Sequence, residues 1–287
     1  MALKDLLVHV DHTEGALLRL RLAADLARRH GSRLTALYVR ELDSAQVHAQ
    51  STGEFGLVSA ADMNRERLRN EQAADEIARS LARELEAIRR QFALAVELQT
   101  VPGAAATIVP QYARFADLCV LSQGAPSDAT SAGYTFSEAV LFGAGRPVLM
   151  VPASGRFDTL GRHILVGWNS SRACARAVND ALPLIEQAER TTVLSINPKE
   201  YMERYRALAP EQLIAHLGCH SAAVAGVRLE GVERESIAAV LQDEAHRVGA
   251  DMIVAGAFGH PKLWEKLMGG VTCDLLARMT LPILMSH

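Results

Sequence analysis

The sequence predicts an α/β protein made of two tandem open parallel-sheet domains, and three observations predict it. Short apolar runs alternate with helix-like segments along the chain, the order expected of βαβ units. Runs such as LLVHV (6–10) and MIVA (252–255) are almost continuously apolar, as strands covered on both faces must be. The chain also repeats itself: LKDLLVHVD (3–11) returns as GRHILVGWN (161–169), ADLCVLSQG (116–124) as ADMIVAGAF (250–258), and RPVLMVP (146–152) as LPILMSH (281–287).

Three landmarks recurring in one order imply two copies. The shift is 158 residues at the first (161 − 3), 134 at the second (250 − 116) and 135 at the third (281 − 146). The first copy therefore carries about two dozen extra residues, which fall in the polar segment after Tyr38 and the long helix that follows. Its expected elements are strand 6–10, helix 15–30, strand 34–39, a polar loop, helix 62–91, strand 95–100, helix 104–115, strand 118–121, and a last helix and strand ending at Val151. Within helix 62–91, Leu68, Ile77, Leu81, Leu85 and Ile88 recur at helical spacing and form a narrow apolar stripe. The rest of that helix reads as a solvated face with i,i+4 charge pairs, a partner-binding helix being the alternative. Segment 154–161 holds two glycines and no apolar periodicity, so it is the expected linker between domains at 1–153 and 161–287.

Composition narrows the function classes. At 287 residues, 49% of them hydrophobic, the chain has material for two cores. A formal charge of −3 gives no reason to expect a nucleic acid or an anionic membrane as partner. No apolar run is long enough to span a bilayer. Cys119, Cys174, Cys219 and Cys273 lie far apart with no CxxC pair, and the opening MALKDLLVHVDHTEG is acidic and polar, so a reducing cytoplasm is the expected location.

Residues 256–272, GAFGHPKLWEKLMGGVT, follow a buried strand at the carboxyl edge of a parallel sheet, where open α/β folds bind ligands. Gly256 is expected to let backbone approach a ligand. Gly269 and Gly270 precede VTCDLLARM, and a glycine turn entering a helix offers free N–H groups and the positive dipole end to phosphate. His260, Lys262 and Lys266 add charge between the glycines, while Trp264 and Leu263 read as an apolar anchor. Spacing alone leaves open the alternative that these glycines only turn the chain.

The G-x2-G-x9-G spacing of Gly256, Gly259 and Gly269, the strand ending in Asp11, the AD-apolar strands and the terminal PVLMVP and PILMSH runs together resemble the universal stress protein (UspA-like) family, twice over. The resemblance implies a Rossmann-like sheet of five strands per domain in the order 3-2-1-4-5, with the domains paired through their last strands as an intrachain pseudo-dimer. RPVLMVP and LPILMSH would otherwise be exposed apolar edges. It also implies ATP or another adenine nucleotide, with magnesium as a companion ion, at Gly256, Gly259, His260, Gly269, Gly270, Val271, Thr272, Asn169 and Ile196.

The carry-over departs from the pattern in places. Gly270 stands where the family has Ser or Thr, with Thr272 two positions late, and Asn169 stands for the acidic residue after the first strand. The first copy keeps Asp11 but has Ser122, Ala125 and Tyr134 or Thr135 for the glycines, so it is expected to bind no triphosphate, with Asp11 capping a strand end.

Other residues read more plainly. His216, Cys219 and His220 in HLGCH lack a fourth ligand, so no metal is expected. Cys273 near a helix start is either a thiol of lowered pKa or a partly buried cysteine. No Ser-His-Asp, HExxH or GxSxG pattern points to catalysis. Three functions follow: a nucleotide-binding stress-response module, a nucleotide-free scaffold for a protein partner or a homo-oligomer, and a slow ATPase, against which VDHTEG offers no glycine-serine phosphate loop.

Overall fold

The computed structural model describes residues 2–13, 15–40, 60–123, 135–205, 209–220, 223–233, 236–257 and 270–287. The first half runs β1 (Asp5–Val10), α1 (Gly15–His30), β2 (Arg33–Arg40), α2 (Ala60–Phe92), β3 (Val96–Pro102), α3 (Ala105–Ala113), β4 (Leu118–Ser122), α4 (Phe136–Ala144) and β5 (Val148–Val151). The second runs β6 (His163–Gly167), α5 (Arg172–Ile185), β7 (Arg190–Ile196), α6 (Pro198–Tyr205), α7 (Glu211–Gly218), β8 (Val224–Leu229), α8 (Ile237–Val248), β9 (Met252–Gly256), α9 (Val271–Arg278) and β10 (Ile283–Ser286). Among the described residues, the connection from β2 to β3 holds the 33-residue helix α2, where that from β7 to β8 holds two helices of eight residues.

All strands among the described residues lie in one sheet of ten, ordered β3-β2-β1-β4-β5-β10-β9-β6-β7-β8. Each half is parallel in the expected 3-2-1-4-5 order. The halves join where β5 and β10 pair antiparallel, with Leu149 opposite Leu284 and Met150 opposite Ile283. Every residue of β5 and β10 is buried, and each large apolar side chain so covered contributes about 1.5–3 kcal/mol. The two apolar edges thus close on each other inside one chain. The outer strands β3 and β8 consist almost entirely of exposed and partly exposed positions, Val96 being the one buried residue between them, as edges facing water do.

Helices α1, α2, α5 and α7 cover one face of the sheet and α3, α4, α8 and α9 the other, each over a core that runs across both halves. On α2, Leu81, Leu85 and Ile88 are buried and Ile77 packs against them, but Leu68 is 47% exposed. The apolar stripe therefore holds the C-terminal part of the helix, and Leu68 lies beyond the reach of the core. Among the described residues, no helix is long and apolar enough to cross a membrane.

The repeated AD motif has a structural task. The Asp117 carboxylate accepts the N–H groups of Lys4 (2.7 Å) and Asp5 (3.0 Å) at the start of β1. Asp251 does the same for Gly161 (2.9 Å), Arg162 (3.1 Å) and His163 (3.2 Å) at the start of β6. A carboxylate from the strand next door thus fixes where each first strand begins.

Candidate functional site

The carboxyl ends of β6 and β9 lie side by side, with Gly167 paired to Ala255, and Ile196 ends the neighbouring β7 in a buried position. Asn169 follows β6, where its Oδ1 accepts the Ser171 N–H (3.1 Å) across Ser170 at φ +59°. The Ser171 hydroxyl then caps α5 by accepting the Cys174 N–H at 3.2 Å. Asn169 is therefore part of the turn that starts α5.

Gly256 closes β9 against helix backbone. A Cβ there would lie 2.3 Å from the Cys174 nitrogen and 2.6 Å from the Ala173 carbonyl carbon. The backbone that comes close is the first turn of α5. In the first half α1 packs on β1, β4 and β2, whereas α5 packs on β9 and β10, closer to the seam. This displacement brings α5 onto the end of β9, while the matching Ser122 in β4 keeps its side chain and its carbonyl accepts the Ser137 hydroxyl (3.1 Å).

Gly259, His260 and Gly269 lie outside the described residues, as do Lys262, Leu263, Trp264 and Lys266. The chain is described again at Gly270, the N-cap of α9, at φ −128° and ψ 170° with no side-chain cap. An added Cβ at Gly270 meets nothing within 4 Å among the described residues. Val271 and Thr272 form the first turn, partly exposed, with Val271 against the core. Nothing from the N-cap side chain competes for the N–H groups of this turn, and the dipole of α9 adds a partial positive charge there.

The first half treats the equivalent helix end differently. Thr135 is the N-cap of α4 and accepts the Glu138 N–H, while the Glu138 carboxylate accepts back from the Thr135 N–H (2.8 Å) and hydroxyl (2.9 Å). This capping box satisfies the helix end from within and places a negative charge where an anion would sit. The motif T-F-S-E (135–138) announces it in the sequence, a signal that the glycine comparison passed over.

Asp11 does more than cap a strand. Its Oδ1 accepts the Thr13 N–H (2.9 Å) and the Thr13 hydroxyl, and its Oδ2 takes the guanidinium of Arg19 at 2.7 Å. Arg19 is only 1% exposed and also donates to the His9 carbonyl (3.2 Å). Burial alone would raise the Asp11 carboxyl, but Arg19 and the Thr13 hydrogen bonds outweigh it and hold the pKa below its ordinary value. His9, buried with its ring centroid 4.9 Å from that of Phe136, is pushed down to about 4 by burial, with Asp11 opposing and Arg19 assisting.

Advancing by the 158-residue repeat shift turns His9, Asp11 and Arg19 into Gly167, Asn169 and Ala177. A partly buried carboxylate and a buried guanidinium in one half are thus replaced together by a neutral amide and a methyl in the other, so neither half buries an unmatched charge at this point. Arg19 was missed in the sequence because it stands between leucines on an amphipathic helix, eight residues from its partner.

Cys273 lies in the first turn of α9 and its thiol donates to the Glu138 carboxylate across the seam at 3.1 Å. Burial, then the Glu138 hydrogen bond and charge, push the thiol up to about 11, which decides between the two readings of Cys273 in favour of the partly buried cysteine. All four cysteines are free. His216 and His220 stack edge-on with centroids 5.1 Å apart, His220 near Glu186 at 3.3 Å, and no group of three metal-ligating side chains occurs among the described residues.

Residues 161–287 match the model of the universal stress protein family. The match spans the second half of the chain alone. The whole fold is similar to the crystal structure of a universal stress protein from Archaeoglobus fulgidus DSM 4304, with TM-score 0.70 and 15% identity over 98% of this chain and 96% of that one. A functionally unknown protein from Pseudomonas aeruginosa PAO1 is also similar, with TM-score 0.58 and 19% identity over 99% of this chain and 92% of that one. Among curated proteins, none matches the chain in sequence. The fold of these structures therefore extends over both halves, while the family match lies in the second.

Proposed function

We propose that this chain is a tandem universal stress protein, an adenine-nucleotide-binding stress-response module in which the second half holds the nucleotide and the first half is its pseudo-symmetric support. The observation that carries the reading is the contrast between the two equivalent helix ends. Gly270 leaves the start of α9 without a side-chain cap, whereas Thr135 and Glu138 close the start of α4. Phosphate oxygens would meet the first-turn N–H groups of Gly270, Val271 and Thr272, with Gly259, His260 and Gly269 in the loop before them. The adenosine end would lie toward Asn169 and Ile196 at the ends of β6 and β7. Gly256 keeps α5 seated at the rim of this site. The units divide at the linker after residue 153, the second beginning at Gly161.

A second reading, a nucleotide-free scaffold, draws on one observation: Gly256 is accounted for by helix packing alone. Calorimetric titration of ATP into the native chain and a Gly270→Asp variant separates the two. The proposal expects binding heat from the native chain and none from the variant, whose new carboxylate caps α9 and repels phosphate. Equal heats, or none from the native chain, would overturn it.

A further inference from the structure

Among the described residues the sheet ends at β3 on one side and β8 on the other, and the chain treats these two edges differently. The Gly103 N–H reaches the Arg40 carbonyl, and with Arg40 opposite Pro102 the backbone groups of Val96, Leu98, Thr100 and Pro102 point outward. Both ends of that row are closed. Arg89 of α2 donates to the Val96 carbonyl (3.0 Å), and Pro102 has no N–H to offer.

At the other edge, Thr191 donates to the Ala223 carbonyl and Asn197 to that of Leu229. With Thr191 opposite Val224, Ala225 and Val227 direct their backbone groups to β7, while Val224, Gly226 and Arg228 direct theirs outward. Among the described residues no hydrogen bond meets these three from outside, and none of them is buried. Strand β8 has no proline and a single charge, Arg228, which pairs with Glu211 of α7. It lacks the devices that keep an open edge from pairing.

We infer that β8 is the interface for a second copy of this chain, the two β8 strands pairing antiparallel about a two-fold axis at Gly226. In that register Gly226 lies opposite Gly226 of the second copy and Val224 opposite Arg228, so every outward N–H and C=O of the strand finds a partner. The central position carries no side chain to crowd the axis, and each Arg228 arrives with its charge already matched by Glu211. A row of outward residues centred on glycine matches itself completely, which favours a second copy over a foreign strand. The contact repeats between chains what β5 and β10 do within one. Because β3 is closed, the assembly stops at a dimer and does not grow into a filament.

Sedimentation velocity of the native chain over a range of concentrations, with hydrogen exchange of the edge-strand amides followed alongside, tests the inference. The native chain should sediment as a dimer at high concentration, and the amides of Val224, Gly226 and Arg228 should become protected as the dimer forms. Arg228→Pro removes an N–H that bonds nothing within the chain, so the ladder to β7 is kept. It should weaken the dimer about thirtyfold, since one hydrogen bond is lost at each end and each is worth about fivefold. Thr100→Pro makes the same change on β3 and should leave the dimer as it was. Should Arg228→Pro fail to fold by circular dichroism, Val224→Lys decides, because it keeps the backbone and sets a lysine opposite Arg228 of the second copy, which should also disperse the dimer. A native chain that is monomeric throughout, a dimer that Val224→Lys and a folded Arg228→Pro leave intact, or protection that appears on β3 and not on β8 would overturn the inference.

Discussion

Replacing Gly256 with alanine puts a methyl carbon 2.3 Å from the Cys174 nitrogen and 2.6 Å from the Ala173 carbonyl carbon. Ordinary contact begins near 3.4 Å, so the first turn of α5 must withdraw by about 1 Å, and it is backbone, not a flexible side-chain end, that has to move. Overpacking of this kind costs about 1–3 kcal/mol. Withdrawal also stretches the Ser171 cap on Cys174, already 3.2 Å long, and losing such a cap costs about 1 kcal/mol. The expected loss for Gly256→Ala is therefore about 3 kcal/mol, read from urea denaturation followed by circular dichroism. Gly218→Ala is the contrast: its added methyl meets nothing within 4 Å, and alanine in a helix gains about 0.5–1 kcal/mol. If Gly256→Ala stays within about 0.5 kcal/mol of native and instead loses nucleotide, the helix-packing account is wrong and the glycine serves the ligand directly.

Other outcomes follow from the same structure. Asp251→Ala releases three backbone N–H groups at the start of β6 and should cost about 2–3 kcal/mol in the same denaturation assay. His9 titrates near 4 in the folded chain against an ordinary 6.5, so the unfolded chain binds the proton first. Stability should then fall by about 3 kcal/mol as pH drops from about 6.5 to 4, and His9→Gln should flatten that slope. With Cys119 pushed up to about 12 and Cys273 to about 11, iodoacetamide at neutral pH should label the exposed Cys219 first, as peptide mass spectrometry would reveal.

The sheet was legible because buried parallel strands leave a strong apolar signal and the repeat supplied it twice. LLVHV and MIVA gave their strands to within a residue or so, and the two terminal runs announced the seam by being too apolar for open edges. Leu68 shows where periodicity misleads: it has the right spacing but lies past the end of the core it would pack on. At the site, Gly270 could be read from the sequence because an uncapped helix start is a local property. The reason for Gly256 could not, because it depends on α5 lying over β9 and β10, a displacement that nothing local records. The Asp11–Arg19 pair was hidden for a similar cause, an arginine among leucines whose partner is set by the way α1 crosses β1. The Glu138–Cys273 contact links residues 135 positions apart and becomes visible only once the halves are paired.

The central claim is that the two halves differ at their helix starts, so the chain holds its nucleotide in the second half alone. The direct test is to denature freshly purified native chain and Gly270→Asp chain and count the adenine nucleotide released per chain by chromatography and mass spectrometry. The account predicts up to one nucleotide per native chain and none from the variant. Two per native chain, or an undiminished yield from Gly270→Asp, would contradict it.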